Sequence, residues 1–250
     1  MLSVVIPVLN QHEMTYECIQ SLRECTTDFE IILIDNGSVL PIEPPFSGFV
    51  DIKLLRNEVN LGFPAAVNQG IDAAVGDVIC LLNNDVIVTP GWADTLIGWL
   101  DTFDICGPLT NFCAGSQRVV LPTYTTKAGL YDAAVNMAKE NGEFAKEVNF
   151  IIGFCMMFKA SLIGEIGNFD DSLWPCSGEE IDFCFRAVEA GKKIGIAVDC
   201  YVHHFGSQTF QDMENAGQIN YMEIVNRNDA HLAKKWGNFW ERQDVVDTAN

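Results

Sequence analysis

The chain has 250 residues, of which 48% are hydrophobic and 20% are charged, a composition typical of a folded globular protein and not of a disordered one. Its 34 acidic residues against 15 basic ones give a formal net charge of −19 at pH 7. Such a surface repels nucleic acid and anionic lipid, so we expect neither to be the primary partner. An anionic ligand would need a metal ion, a helix N-terminus or local basic groups to offset this charge.

The cysteines indicate a reducing compartment. There are nine of them, an odd number without a CxxC pair, and Cys80 and Cys155 lie inside apolar runs. No signal peptide is evident, because Met1 leads directly into a strand-like run. The longest apolar stretches are shorter than the roughly 18 residues that a membrane helix needs. The sequence therefore predicts a soluble, cytoplasmic protein without a transmembrane segment or a zinc site.

The first half of the chain alternates strand-like and helix-like segments. Strands are predicted over residues 2–8, 30–34, 51–55 and 77–82, with a proline-rich loop over 39–48. Helices are predicted over 14–23 and 65–74 and from Pro90 onwards. Strands separated by helices favour an α/β fold with a mostly parallel central sheet flanked by helices. In such sheets ligands bind beyond the carboxyl ends of the strands, where Asn10, Asp35 and Asp85 are expected to lie.

The second half is less regular. Helices are predicted over residues 128–140 and 179–190, the latter ending before Gly191, and a polar C-terminal helix over 222–235. Hydrophobic strands are predicted over 150–159 and 193–202. The chain shows no internal repeat, low-complexity segment or convincing domain linker, so we expect a single domain.

Two polar clusters follow predicted strands. Asp85 offers a hard oxygen ligand for Mg²⁺ or Mn²⁺, and Asn83 and Asn84 before it could hydrogen-bond sugar hydroxyls. Asp35, at the start of an Asp-Asn-Gly-Ser run, could accept a hydrogen bond from a nucleobase N–H. Each cluster is also what a simple turn after a strand requires, so neither is specific alone.

Glu179 and Glu180 are adjacent carboxylates at a predicted helix start. Interaction with the helix dipole would explain them without chemistry. However, paired carboxylates raise one another's pKa, which suits a general base. Trp174 precedes them as an aromatic residue on which a sugar could stack. Later in this helix, Asp182 has the spacing of a structural ion pair with its i+4 neighbour.

His203 and His204 follow the last predicted strand. A single histidine at a strand end is usually a surface residue. Two of the four histidines of the chain occur together here, which favours a metal or phosphate contact.

Taken in order, these motifs resemble a family 2 glycosyltransferase of the GT-A fold over about residues 2 to 210. The branch with the greatest similarity is the rhamnosyltransferase-like one, which carries Asn-Asn-Asp in place of Asp-x-Asp. The segments that carry the resemblance are VVIPVLN at 4–10, IDNGS at 34–38, NLGF at 60–63 with Asn68 and Gly70, LLNND at 81–85, GNFD at 167–170, EEIDFCFR at 179–186 and VHHFGS at 202–207.

The resemblance implies inverting transfer of a sugar from a nucleotide-diphosphate donor to a hydroxyl acceptor on a glycan, lipid-linked glycan or protein. Mn²⁺ or Mg²⁺ would be the cofactor. Asp85 would ligate the metal that bridges the diphosphate, and His203, in preference to His204, would complete the metal or diphosphate contact. Asp35 would read the base. The residues expected at the donor nucleotide are Pro7, Asn10, Asp35, Asn36, Asn60, Gly62, Asn68, Asn83 and Asn84.

For the acceptor side, the resemblance implies that Glu180 deprotonates the acceptor hydroxyl. The family usually has Asp at this position in a Glu-Asp or Asp-Asp pair, so Glu179 stays a candidate. Trp174 and Asp170 are expected near the acceptor. Asp170 ends a Gly-Asn-Phe-Asp run where the family usually has Gly-Gly-Phe-Asp.

The predicted organisation is a GT-A domain over residues 1–210 and a C-terminal helical extension over 211–250. The domain divides into a nucleotide-binding half, 1–110, and an acceptor and catalytic half, 111–210. Peripheral contact with a membrane through the acceptor is left open. Two alternatives are an inactive nucleotide- or sugar-binding module and a nucleotidyltransferase, although the latter normally has a Gly-rich basic loop after its first strand. A dehydrogenase is excluded because no GxGxxG follows a strand.

Overall fold

The computed structural model describes residues 1–42, 52–121, 123–206, 208–215, 217 and 219–237. These residues form nine strands and eight α-helices. Among the helices in these ranges, none has both the length and the apolar character needed to span a bilayer. Most of the predicted loop 39–48 and the first residue of the strand predicted from residue 51 lie outside the described residues.

The elements follow one another in a regular α/β order in the first half and a mixed order in the second. The first half contains β1 (Leu2–Val8), α1 (His12–Cys25), β2 (Phe29–Asn36), β3 (Ile52–Asn57), α2 (Phe63–Ala73), β4 (Val78–Leu82), β5 (Val86–Ile87), α3 (Trp92–Trp99) and β6 (Ile105–Thr110). The second half contains α4 (Lys127–Asn141), β7 (Ala145–Val148), β8 (Cys155–Lys159), α5 (Ser161–Ile166), α6 (Glu179–Glu189), β9 (Ile194–His204), α7 (Gln208–Asn215) and α8 (Tyr221–Trp236).

The strands form one sheet in the order β3-β2-β1-β4-β8-β6-β9-β5, and β7 pairs with β9. The pairs among β3, β2, β1 and β4 are parallel, as is β6 with β9. In contrast, β8 runs antiparallel between β4 and β6, and both β5 and β7 run antiparallel to β9. The predicted α/β fold is confirmed, with a parallel first half and a mixed second half.

Several elements were not predicted from the sequence: β5, β6, β7, α5 and α7. β5 has only two residues, and β6 contains Gly107 and Pro108, which interrupt a strand pattern. The register of β6 against β9 shifts at Pro108, as expected where a ladder N–H is missing. The strand predicted over 150–159 begins only at Cys155, because the chain before it forms a loop in which Ile152 N donates to Gln117 Oε1.

Hydrophobic side chains pack on both faces of the sheet, because successive side chains of a strand point to opposite faces. In β1, Val5 belongs to the core that includes residues of α2, α4 and α6, whereas Val4 and Ile6 belong to the core that includes residues of α1 and α3. All seven residues of β1 are buried. The strand order reverses at β1, which has β2 on one side and β4 on the other. This reversal opens a crevice at the carboxyl ends of β1 and β4, the usual ligand position in such sheets.

The C-terminal helix α8 packs against α6. Trp236 Nε1 and Lys235 Nζ donate to Asp182 Oδ1 at 2.9 and 2.7 Å, and Arg186 Nε donates to Asp182 Oδ2 at 2.9 Å. Asp182 is fully buried. Because its carboxylate joins two helices, α8 is attached to the main body by a buried polar contact. The domain boundary predicted at residue 210 stays a prediction.

Candidate active site

A cleft of about 220 Å³ lies at the carboxyl ends of β1 and β4. Nine of the residues singled out in the sequence line it: Pro7, Asn36, Asn60, Asn83, Asn84, Asp85, Glu179, Glu180 and His204. They come from the ends of β1, β2 and β9, from two loops, one before α2 and one between β4 and β5, and from the start of α6. The cleft therefore gathers side chains from along most of the described sequence.

Asp85 and His204 form one wall of this cleft. They are brought together by β5 and β9, whose antiparallel register places Val86 opposite His204, and by a hydrogen bond from Phe205 N to Asp85 O at 3.0 Å. Asp85 Oδ1 lies 3.2 Å from His204 Nε2, and both residues are buried. The ring of Phe154 stacks on the imidazole with centroids 5.2 Å apart. The histidine is therefore fixed both in position and in ring orientation.

The hydrogen bonds of His204 define its tautomer. Nδ1 lies 2.7 Å from the carbonyl oxygen of Phe112, which can only accept, so Nδ1 carries the proton. Nε2 is buried and makes no hydrogen bond within the described part of the chain. In the neutral ring, its lone pair therefore faces a carboxylate oxygen. A proton on Nε2 or a shared metal cation would make this contact attractive, and an imidazole held by a backbone carbonyl is typical of a metal ligand.

The chemistry of these two residues fits a divalent cation, and the metal role predicted for Asp85 stays a prediction. Across the described ranges, no group of three or more His, Cys, Asp or Glu side chains could hold a metal by itself. Mg²⁺ and related ions commonly use one or two protein ligands and complete their coordination with substrate phosphates and water. A two-residue site is thus consistent with a metal that arrives with a diphosphate.

His203 is not among the residues that line the cleft, so the structure does not place the preferred histidine of the sequence prediction beside Asp85. Consecutive residues of a strand point to opposite faces, and His203 Nδ1 contacts the hydroxyl of Tyr124 at 2.5 Å. That hydroxyl also lies 2.9 Å from the hydroxyl of Tyr201. Burial, together with the neighbouring His204, lowers the pKa of His203.

Asp35 lies behind the cleft and not on its surface. Its Oδ1 accepts from Ser38 N at 2.9 Å and its Oδ2 from Ile42 N at 3.0 Å and from the guanidinium of Arg56. Burial alone would raise the pKa of this fully buried carboxyl, but these hydrogen bonds and the Arg56 charge hold it below its usual range. Because both oxygens are engaged, the visible role of Asp35 is to shape the loop after β2.

Asn36 organises a second part of the cleft. Its side chain donates to Asn60 Oδ1 at 3.0 Å and to Gly62 O at 3.1 Å, and accepts from Leu61 N at 3.1 Å. Gly62 has a positive φ of 89°, and a Cβ there would lie 2.5 Å from Trp174 Cδ1. Only glycine fits this turn, which packs against the loop before α6.

Asn10 and Asn68 are not among the cleft residues. Asn10 Oδ1 accepts from Val39 N at 3.0 Å, and this contact fastens the loop after β1 to the loop after β2. Asn68 exchanges two hydrogen bonds of 2.9 Å with the backbone of Phe169. Both side chains therefore hold neighbouring loops in place, and neither is presented to the cleft.

Glu179 and Glu180 line the cleft from the first turn of α6. Glu180 is partly exposed, and its Oε2 accepts from Gly178 N at 3.1 Å. Burial raises the pKa of Glu180, while backbone N–H groups, including that of Gly153, oppose this effect. Glu179 is buried, and its Oε2 has no hydrogen-bond partner in the described ranges. Burial and the adjacent Glu180 raise its pKa well above the usual value, so Glu180 is the member that ionises first.

The two residues expected near the acceptor lie outside the cleft. Trp174 has 47% of its surface exposed and its ring contacts Gly62 beside the cleft. Asp170 accepts from Ser172 Oγ at 2.6 Å and pairs with Lys235 of α8 at 3.3 Å. Burial would raise the pKa of Asp170, but these hydrogen bonds and Lys235 lower it. The ion pair directs Asp170 towards α8.

The sequence did not identify the contribution of the C-terminal helices. Thr209 and Met213 of α7 and Tyr221 of α8 also line the cleft. One sequence pattern could have indicated the role of α8, namely a polar residue within a stripe of apolar ones. Ile224, Asn228, Leu232 and Trp236 recur every four residues and are all buried. A buried asparagine in such a stripe indicates a specific hydrogen-bonding role.

A switch-point cleft in a mixed nine-stranded sheet, with an acid–histidine pair and a carboxylate pair, defines the protein as a member of the GT-A fold class. The chain belongs to glycosyl transferase family 2, whose model matches residues 3–167. The match ends before Glu179, Glu180 and His204. The position of these three residues in the site therefore comes from the geometry described above.

Two curated relatives illustrate the similarity. The chain is 28% identical over 199 residues to the pre-mycofactocin glycosyltransferase of Mycobacterium tuberculosis, covering 77% of this chain and 40% of that protein. It is 26% identical over 208 residues to the glycosyltransferase AglE of Haloferax volcanii, covering 79% of this chain and 64% of that protein. The chain thus matches less than two thirds of the length of either relative.

Solved structures share the fold. The structure of GalNAc-T7 with UDP, GalNAc and Mn²⁺ superposes with a TM-score of 0.66 at 18% identity, covering 82% of this chain and 43% of that one. The structure of S. aureus TarS 1-349 in complex with UDP-GlcNAc superposes with a TM-score of 0.56 at 16% identity, covering 81% and 57%. At this level of identity the likeness establishes the fold alone.

Proposed function

We propose that this protein is an inverting glycosyltransferase that moves a sugar from a nucleotide-diphosphate donor to a hydroxyl acceptor with the help of Mn²⁺ or Mg²⁺. The observation that carries this proposal is the shared cleft of Asp85 and His204 with Glu179 and Glu180. A cation site and a candidate base in one cleft are the groups that such a transfer needs. The membership in glycosyl transferase family 2 supports the same chemistry.

In this proposal, Asp85 and His204 would hold the cation. When bound, the metal would neutralise charge on the diphosphate leaving group. His204 replaces His203 in this role because its Nε2 faces Asp85, while His203 contacts Tyr124. The buried setting of the pair strengthens its attraction for a cation, and the net charge of −19 makes such compensation necessary for an anionic donor.

The donor nucleotide would lie between the ends of β1 and β4, against Pro7 and the Asn36–Asn60 pair, with Asn83 and Asn84 near the ribose or the sugar. The two structures that share the fold contain UDP with GalNAc, and UDP-GlcNAc. UDP-sugars are therefore the first donors to test, followed by GDP- and dTDP-sugars. The dTDP-sugars test the alternative that the protein transfers a deoxyhexose, as the resemblance to the rhamnosyltransferase-like branch implies.

Glu180 would act as the general base. It is partly exposed to the cleft, and N–H groups around its carboxylate favour the ionised form against the effect of burial. It would accept the proton of the acceptor hydroxyl while that oxygen attacks the anomeric carbon from the face opposite the leaving group, which inverts the configuration. Burial and the charge of Glu180 raise the pKa of Glu179 well above the usual value, so the ionised charge of the pair would reside on Glu180.

The acceptor would approach past Trp174, whose exposed ring can stack on a sugar. A glycan, a lipid-linked glycan or a protein would each present the required hydroxyl. We place the protein in the cytoplasm, where nucleotide sugars and reducing conditions coincide. All nine cysteines are free thiols, and Cys80 Sγ lies 3.9 Å from Cys155 Sγ without a disulfide. A lipid-linked acceptor would bring the protein to the membrane surface.

A nucleotide-release assay with UDP-, GDP- and dTDP-sugars tests the proposal. Donor turnover should depend on added Mn²⁺ or Mg²⁺ and should stop after chelation with EDTA. Asp85→Asn should lose this metal response, whereas Asp77→Asn, a change at a side chain with 95% exposure, should retain it. Nucleotide binding without release of a nucleoside diphosphate would support an inactive binding module. Release of pyrophosphate in a parallel reaction supplied with a nucleoside triphosphate and a sugar 1-phosphate would support a nucleotidyltransferase, and either result would refute the proposal.

A further inference from the structure

One peptide group connects α8 with the carboxylate of Glu180. The carbonyl of Ser177 accepts from Asn228 Nδ2 at 2.9 Å, and the N–H of the same peptide group, on Gly178, donates to Glu180 Oε2 at 3.1 Å. A peptide group is planar and rigid, so its carbonyl and its N–H turn together. The direction of the N–H that contacts Glu180 is therefore linked to a side chain of α8.

The backbone at this point adopts a conformation that requires support. Ser177 has φ 79° and Gly178 has φ 94°, so two successive residues lie in the left-handed region, and the first is not a glycine. Such a conformation persists only where the surroundings enforce it. Leu232 of α8 is fully buried beside this turn, and a Cβ on Gly178 would lie 2.7 Å from its Cδ1.

Asn228 is the polar side chain of α8 that holds this turn. Its side chain is 2% exposed, and Nδ2 contacts the carbonyl oxygens of Leu173 at 3.1 Å, Cys176 at 2.7 Å and Ser177 at 2.9 Å. An amide has two N–H groups, so the three carbonyls share them. The adjacent Arg227 donates to the carbonyl of Trp174. The loop that leads into α6 is thus held by its carbonyl groups against α8.

We infer that Asn228 is a positioning residue for the Glu180 carboxylate, an inference that rests on the proposed function. By holding the Ser177 carbonyl, Asn228 keeps the Gly178 N–H directed at Oε2, where it stabilises the ionised form and fixes the orientation of the base. The C-terminal helix is in this view part of the catalytic apparatus. Within the described ranges, no hydrogen bond joins Asn228 to a residue proposed to bind the nucleotide or the metal, so its loss should affect turnover and not donor binding.

The test compares Asn228→Leu with Asn226→Leu, the same change at an exposed position of the same helix. Asn228→Ser serves as a second variant, because its smaller side chain leaves room for water at the three carbonyls. The first measurement is an NMR titration of the ¹³C-labelled Glu180 carboxyl, assigned with Glu180→Gln. In both Asn228 variants the carboxyl should titrate at higher pH than in the wild type, and in Asn226→Leu it should be unchanged.

The second measurement is steady-state turnover. Loss of a hydrogen bond to a charged group should lower kcat about tenfold in the Asn228 variants, with the donor KM within about twofold of the wild type. An unshifted titration in a folded Asn228 variant would overturn the inference, as would an equal shift in Asn226→Leu or an unchanged kcat. Failure of both Asn228 variants to fold would also overturn it, because the role would then be structural alone. A wild type that turns over no donor would refute the proposed function, while the titration would still decide whether Asn228 controls the carboxylate.

Discussion

Replacing Glu180 by Gln separates the chemistry of the cleft from binding. Gln has the same size and retains an oxygen that can accept from Gly178 N, now 3.1 Å from Oε2, so the start of α6 should keep its structure. The amide cannot accept the proton of the acceptor hydroxyl. We therefore expect kcat to fall by about 10²-fold or more, equivalent to roughly 2.7 kcal/mol of lost transition-state stabilisation. Donor affinity should stay within about twofold, measured by calorimetry beside turnover at saturating donor and metal.

Glu179→Gln is the matched control. Burial and the neighbouring charge raise the pKa of Glu179 well above the usual value and so favour its neutral form, which an amide matches in charge. Its turnover should fall by less than about tenfold. An inactive Glu179→Gln with an active Glu180→Gln would reverse the two roles. If both variants stay active, neither Glu179 nor Glu180 is the base. Asp182 could not take this role, because it is fully buried and hydrogen-bonded to Arg186 and to Trp236 of α8.

Three further predictions concern pH, stability and metal binding. Glu180 must be ionised to act as a base, and burial raises its pKa, so kcat should still rise with pH above the range in which free glutamate titrates. If kcat is already independent of pH in that range, Glu180 is not the base. Asp35→Asn should lower the free energy of unfolding, measured in urea, by about 2–4 kcal/mol, because two buried backbone N–H groups and Arg56 lose a carboxylate partner. The control is Asp28→Asn at an exposed side chain, which should change the free energy of unfolding by less than about 0.5 kcal/mol. Since the pKa of Asp35 is lowered on folding, its stabilisation is present above the unfolded-state pKa and should disappear as pH falls through the folded-state pKa, so a pH-independent cost of Asp35→Asn would contradict this reasoning. His204→Ala should weaken Mn²⁺ binding in the presence of UDP by at least about tenfold in calorimetry, and an equal loss in His203→Ala would contradict the placement of the cation.

The sequence predicted the parallel half of the sheet well, because each of its strands is an apolar run followed by turn residues and a helix. The second half follows other rules. β5 has two residues and exists only through its pairing with β9, and β6 tolerates Pro108 because the register shifts there. Such strands are defined by their partners and not by their own pattern, so no local signal could have identified them.

The candidate site likewise combines residues that the sequence could place with residues whose position depends on tertiary packing. Asp85 follows a strong strand signal, and its place in the cleft agrees with the position expected for a residue at a strand end. Whether His203 or His204 faces Asp85 depends on which face of β9 each residue occupies. The register of β9 with β5 determines these faces. Asn228 acquires its contacts from the loop over residues 173–177, which is distant in sequence. Local patterns indicate residue types for chemistry, whereas tertiary packing decides which of them meet.

The pairing of β5 with β9 also bears on how the protein folds. This two-residue ladder joins positions 86 and 204, so it closes a loop that spans almost half of the chain. Contacts between such distant positions carry a large entropic cost and are intrinsically slow to form. The parallel strands of the first half can associate earlier, but Asp85 meets His204 only after β9 has docked. A cation held by Asp85 and His204 would therefore bind only a chain in which β9 has docked, and Mn²⁺ with a nucleotide should stabilise this long-range contact against unfolding.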